Sequence, residues 1–206
     1  MDRLTIGGII TNSIQLGLKN IAPIVGAVVL WLLTIWVPYL NVGTTIAMVG
    51  MVVALSKGNI ISPFEIFDAK YRKNMGEFFL LIAFLWMGIT AGYLFIIIPG
   101  IVISIAWGQA IYLLIDRNMN PTEAITVSNK ITYGKKWTIF FGNLILAVVM
   151  LVVIYILVAI FGFIWDFLGL VVGLVGYIAF FTIMMAASAY IYGELVKELN
   201  NPSQPV

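Results

Sequence analysis

Four stretches of the chain, residues 21–40, 76–99, 137–164 and 167–192, run apolar from end to end with almost no ionisable residue. Crossing the hydrocarbon core of a bilayer as a helix takes about 20 such residues. No soluble domain buries four such stretches while holding only 10% charged residues against 62% hydrophobic ones, since soluble chains are about a quarter charged. The mean hydropathy of +1.08 agrees. The fold class is therefore an all-α integral membrane protein. The start, MDRLTIGGII, has neither a basic leader nor a small-residue cleavage site, so it reads as mature sequence.

Two further apolar runs, residues 42–55 and 100–115, are short. They can span a locally thinned bilayer with Lys57 and Arg117 snorkelling, or re-enter under the cover of neighbouring helices. The charges favour six spans. With the N-terminus inside, threading six spans places Arg3, Lys19, Lys57, Lys70, Arg72, Lys73, Arg117, Lys130, Lys135, Lys136 and Lys197 on the inner side. These are all 11 Lys and Arg of the chain. The outer turns near residues 38–43, 99–100 and 165–166 carry one charge, Asp166. Basic residues are retained in cytoplasmic loops, so both termini are expected in the cytoplasm. Trp36, Tyr39 and Trp165 would mark the outer aromatic belt, and Tyr133 and Trp137 the inner one.

Three polar segments precede three of the spans. In residues 120–136, Asn120 can cap a helix, Pro121 suits its first position and Glu123 follows three after the cap. Ala124, Val127, Ser128 and Ile131 share one side of the expected helix, and Thr126, Asn129, Lys130 and Tyr133 the other. Residues 62–74 repeat the plan with Ser62, Pro63 and Glu65, a stripe of Phe64, Phe67 and Tyr71, and an Asp68–Arg72 pair at helical spacing. In residues 4–20, Ile6, Ile9, Ile10, Ile14 and Leu16 oppose Thr11, Asn12, Gln15 and Lys19. Such helices can lie in the headgroup plane. The chain thus reads as one membrane domain of three pseudo-repeats, about 1–58, 59–118 and 119–199. Each is an interfacial helix followed by a transmembrane hairpin, and residues 200–206 form a flexible tail.

The chemistry on offer is narrow. The chain has no histidine and no cysteine, which removes the commonest general base and any thiolate. No span carries an ionisable group near its centre, where proton-coupled carriers keep theirs. The reading is a non-enzyme without a cofactor or metal site. A net charge of +2 offers nothing for nucleic acid. Lys19, Lys70, Arg72, Lys73, Lys130, Lys135 and Lys136 are candidates for anionic lipid headgroups at the cytoplasmic face; equally, they set topology. Gln109 and Asn143 are polar positions inside the membrane, able to bond across helices or to line a path. Small residues recur at four-residue spacing: Gly43 and Ala47, then Gly50 and Ala54; Gly100, Ser104 and Gly108; Gly169 and Gly173. Such rows let helices approach closely, within one chain or in a homo-oligomer or with other membrane subunits.

The stretch IIIPGIVISIAWGQAIYLLIDRNMNPTEAITVSNKITYGKKWTIFF resembles a pattern in uncharacterised bacterial and archaeal polytopic membrane proteins. Those are related to the membrane domain fused to some glycerophosphoryl diester phosphodiesterases. The matching features are Pro99–Gly100, Ser104 to Gln109, Glu123–Ala124, Ser128, Gly134–Lys135 and Trp137, with the N-terminal helix ending in Lys19–Asn20. The resemblance implies a membrane fold in a prokaryotic cytoplasmic membrane. It implies no activity, because the catalytic domain has no counterpart here. Two functions are carried forward: a structural or accessory subunit of a membrane complex or of envelope maintenance, and an oligomeric channel or path for lipid or a small apolar solute.

Overall fold

A computed structural model describes residues 4–59 and 62–199; the tail expected at 200–206 lies outside them. The described residues are helical, without a strand. In chain order the helices are α1 (Ile6–Lys19), α2 (Ile21–Leu33), α3 (Pro38–Ser56), α4 (Met75–Phe95), α5 (Ile97–Trp107), α6 (Ala110–Arg117), α7 (Pro121–Ile131), α8 (Lys136–Ile164) and α9 (Asp166–Leu199). Five stretches are long and apolar enough to cross a membrane: α3, α4, α5 with α6, α8 and α9. A sixth exists if α1 and α2, bent by 71° at their junction, count together. The chain is a membrane protein with five or six candidate spans.

Prolines explain where the helices begin. The apolar run 21–40 was expected to be one span, and it is not: α2 has 13 residues and stops at Leu33. The residue before a proline is pushed out of the helical region, and Val37 is extended, with φ −118° and ψ 92°. Pro38, having no N–H to lose, starts the next helix. The four residues Pro38–Asn41 pass to α3, so the short second run becomes a helix of 19 residues. The turn is tied by Thr34, whose hydroxyl donates to the Trp31 carbonyl at 2.7 Å and meets the Thr44 hydroxyl at 2.8 Å. Pro99 likewise falls in the first turn of α5, which with α6 makes 21 residues.

The three polar segments differ from one another. α7 forms as its signals require: the Glu123 N–H donates to Asn120 Oδ1 at 2.9 Å, and Pro121, Ala124, Ser128 and Ile131 are buried. That face, however, packs on protein. α1 forms too, capped by Thr5, whose Oγ1 accepts from the Gly8 N–H at 3.0 Å. Its buried line is Ile9, Ser13 and Gly17, laid on α8 and α9. A Cβ on Gly17 would come within 2.8 Å of the Ile183 backbone, and one on Gly142 within 2.6 Å of Ile9.

Residues 62–74 do not form the expected α-helix. They make two short 3-10 turns, Pro63–Phe67 and Ala69–Arg72. Ser62 makes no side-chain cap. Asp68 pairs with Lys70 at 3.0 Å instead of Arg72, and Arg72 Nη1 donates to the Phe67 carbonyl at 3.3 Å. The segment lies in a groove between α2 and α3, with Ile66 and Tyr71 buried. Gly26, Gly43 and Gly50 make that groove: a Cβ there would meet Pro63 at 2.9 Å, Arg72 Cγ at 2.9 Å and the Tyr71 ring at 2.3 Å, respectively. An isolated helix of this length is marginal, so tertiary contacts set its conformation.

The candidate span made of α5 and α6 is interrupted between Trp107 and Ala110, and α7 covers the break. The Ser128 hydroxyl donates to the Ala106 carbonyl at 2.6 Å and accepts from the Gln109 N–H at 3.2 Å. Thr132 donates to the Ser128 carbonyl at 2.8 Å. One hydroxyl, a donor and an acceptor at once, satisfies groups that a broken helix would otherwise leave bare.

Candidate functional site

Polar contacts draw one end of every long helix together. Lys57, just past α3, forms an ion pair with Asp116 Oδ1 near the end of α6, and the Tyr192 hydroxyl of α9 donates to Asp116 Oδ2 at 2.7 Å. Asn74, before α4, donates through Nδ2 to Asn118 Oδ1 at 3.0 Å. Lys135, before α8, pairs with Glu198 near the end of α9. The side chain of Asp116 is only 5% exposed, whereas that of Lys57 is 53% exposed. A buried carboxylate persists only when its oxygens are taken; here a lysine and a phenol take both.

Two clefts open at this charged end. The first, of about 360 Å³, lies between α3, the 70–74 turn and the end of α6. Its polar edge is Lys57, Lys70, Asn59, Asn74, Asn118 and Asp116, and its floor is Gly50, Val53, Ala54 and Ile115. Asn118 has φ 50°, the left-handed conformation that closes α6 and turns the chain toward α7. Hydrogen bonds from the Lys70 N–H and ammonium hold the Asp68 carboxyl below the usual carboxylate range, and the bond to Asp68 raises Lys70. Burial pushes the Tyr71 phenol up. The second cleft, of about 420 Å³, lies between α1, the end of α3 and α9, edged by Asn12, Gln15, Lys19, Glu194 and Lys197. A third hollow, of about 360 Å³ and almost wholly apolar, opens sideways between α2, α3, α6 and α9, with Trp31, Met48, Tyr112, Phe181 and Met185 among its walls.

The basic residues singled out from sequence are divided by the structure. Lys70 edges the first cleft and Lys19 the second. Arg72 lays its stem on Gly43, Lys135 is paired with Glu198, and Lys136 donates to Asn129 Oδ1 at 3.0 Å. Lys73 and Lys130 are exposed.

The small residues do not form one seam. Gly43 and Gly50 admit Arg72 and Tyr71, while Ala47 is buried beside Ile24 and Ile46; Ala54 belongs to the first cleft. Gly100 lets the Tyr93 ring of α4 lie against it, at 2.4 Å from a notional Cβ. Ser104 donates to the Ile101 carbonyl of its own helix at 2.8 Å, and Gly108 sits in the break. Gly169 and Gly173 bring α9 against Gly162 and Val158 of α8. Gln109 is 8% exposed, and its Oε1 is buried without a partner among the described residues. Asn143 is half-buried on α8.

Sequence reasoning passed over Asp116, Asn74, Asn118 and Tyr192. The only hint was the polar string DRNMN directly after an apolar run. No family model, curated protein or solved structure matches the chain.

Proposed function

We propose that this chain is a non-enzymatic multi-pass component of a prokaryotic cytoplasmic membrane, a structural or accessory subunit of a membrane complex or of envelope maintenance. One observation carries the reading. The helix ends are tied together by Lys57, Asp116, Tyr192, Lys135 and Glu198 at one end, while the far halves of α8 and α9 expose Val152, Tyr155, Phe163, Leu170 and Leu174. A bilayer solvates the second region and headgroups or water the first. In this reading the charged end is cytoplasmic by the distribution of basic residues, and α1 with α2 counts as the first of six spans. The three hairpins are repeats of one plan. The resemblance to the phosphodiesterase-linked membrane domain supports a fold of this kind and supplies no activity. Its anionic-lipid contacts and its association with other membrane subunits belong to the same proposal; association with itself alone belongs to the second reading below.

Native mass spectrometry of the protein, gently extracted from its own membrane, tests this. A foreign subunit at fixed stoichiometry is the expected result. A homo-oligomer with retained lipid and no partner would overturn it in favour of the second reading, an oligomeric channel or a path for lipid or a small apolar solute. The sideways apolar hollow beside Trp31, Tyr112 and Phe181 favours that alternative.

A further inference from the structure

The first cleft carries two half-exposed ammoniums, and the one carboxylate in its lining is already paired. Asp116 is its one carboxylate, and both oxygens are taken, Oδ1 by Lys57 and Oδ2 by the Tyr192 hydroxyl at 2.7 Å. Being 5% exposed, it turns little charge outward. Lys57 and Lys70 each carry three ammonium protons and are 53% and 55% exposed at the side chain. Each is engaged with one carboxylate only, Asp116 and Asp68. The Lys70 ammonium also sits 4.9 Å from the centre of the Tyr71 ring, which holds it at the edge of the cleft. Asn118 Oδ1 accepts from Asn74, so the Asn118 amide is oriented, and among the described residues its Nδ2 is left to donate.

Beneath this rim the floor of Gly50, Val53, Ala54 and Ile115 is apolar. Two ammoniums and an oriented carboxamide over an apolar floor match an anion with several acceptor oxygens. The second cleft lacks this imbalance, since Glu194 faces into it and holds Lys197 at 2.5 Å. The sideways hollow has no charge at all among its walls.

We propose that the cleft between α3, the 70–74 turn and α6 binds a phosphate-bearing anion through Lys57, Lys70 and Asn118, with Asp68 competing for Lys70. The chemistry is shared by the phosphodiester of an anionic phospholipid and by free phosphate. The proposal rests on the functional reading above only in placing this end of the molecule near headgroups.

The test uses the full chain and two probes. Inorganic phosphate is titrated onto the protein in neutral detergent, where no membrane orientation enters. Retention of phosphatidylglycerol against phosphatidylcholine is read by native mass spectrometry, as lipid mass and not subunit mass. Lys70→Gln is expected to weaken binding about three- to tenfold, the net range for an ordinary hydrogen bond, because the half-exposed ammonium is screened by water. Asn118→Gly, which keeps both the left-handed turn and the net charge, should do the same at the lower end of that range. Asp68→Asn keeps the cap on Lys70 but frees its ammonium, so affinity should rise about two- to fivefold, the scale of an exposed ion pair.

Preference for phosphatidylglycerol with these changes identifies a lipid site. Phosphate binding with the same changes and no lipid preference identifies a soluble anion. No binding of either probe overturns the proposal. So does binding that Lys70→Gln weakens but Asn118→Gly leaves alone, because that pattern is surface charge without a built site.

Discussion

Ser128 shows what a single hydroxyl decides. It lies on the buried face of α7, fully enclosed, and bridges the Ala106 carbonyl and the Gln109 N–H across the break between α5 and α6. Both partners belong to backbone that the helix has released, so removing the hydroxyl strands a buried donor and leaves the Ala106 carbonyl only the Thr132 hydroxyl at 3.5 Å. Ser128→Ala should therefore cost about 1–3 kcal/mol, seen as a lowered melting temperature in detergent; a variant melting like the parent would show that the break is satisfied some other way. The residue's neighbourhood could be read in advance, since the spacing of Ala124, Ser128 and Ile131 puts them on one face. Its partner could not, because nothing local marks Ala106 as the place where a helix loosens.

At the scale of elements, two polar segments with similar signals took different forms. α7 has Asn120, Pro121 and Glu123 in place, and its cap is made. Residues 62–74 have Ser62, Pro63 and Glu65 at the same spacing, yet fold as 3-10 turns pressed into α2 and α3. The deciding contacts are glycines elsewhere in the chain. A side chain at Gly50 would occupy the place of the Tyr71 ring, so Gly50→Leu should expel the segment from its groove. Trypsin would then cut at Lys70, Arg72 or Lys73 at least about tenfold faster, the consequence of about 1.4 kcal/mol lost from local closure. Unchanged cleavage would mean that the segment is held without that groove. The expected first span failed for a more local reason that was legible: Pro38 disfavours helix at Val37 and opens α3.

For the whole molecule, the charged end and the apolar helices set an axis, and its proposed direction follows from the distribution of basic residues. Cysteines placed at Trp36 and Asp166, both exposed at the opposite turns, should react in intact cells with a reagent that cannot cross the membrane, and one at Thr126 should not. Thr126 serves better than Ser128 as the inner probe, because Ser128 is buried and silent from either side. Labelling at Thr126 alone would reverse the molecule in the membrane. The bend of 71° between α1 and α2 makes the first span the part of this topology that the far-side label at Trp36 tests most directly.

Composition and the lengths of the apolar runs suffice to make this an all-helical membrane protein, because the solvent itself selects the fold class: lipid accepts a long apolar segment only with its backbone bonds closed inside a helix. Proline positions and the cap at Asn120 are likewise local, and they place helix starts without reference to the rest of the chain. The charged cleft is of another kind. Lys57 meets Asp116 from 59 residues away and Asn74 meets Asn118 from 44, and the glycines that admit Tyr71 and Arg72 lie on a different helix from either. Pairings at such separations depend on how the helices cross. Crossing is settled by which side chains leave room, and only the assembled structure records that.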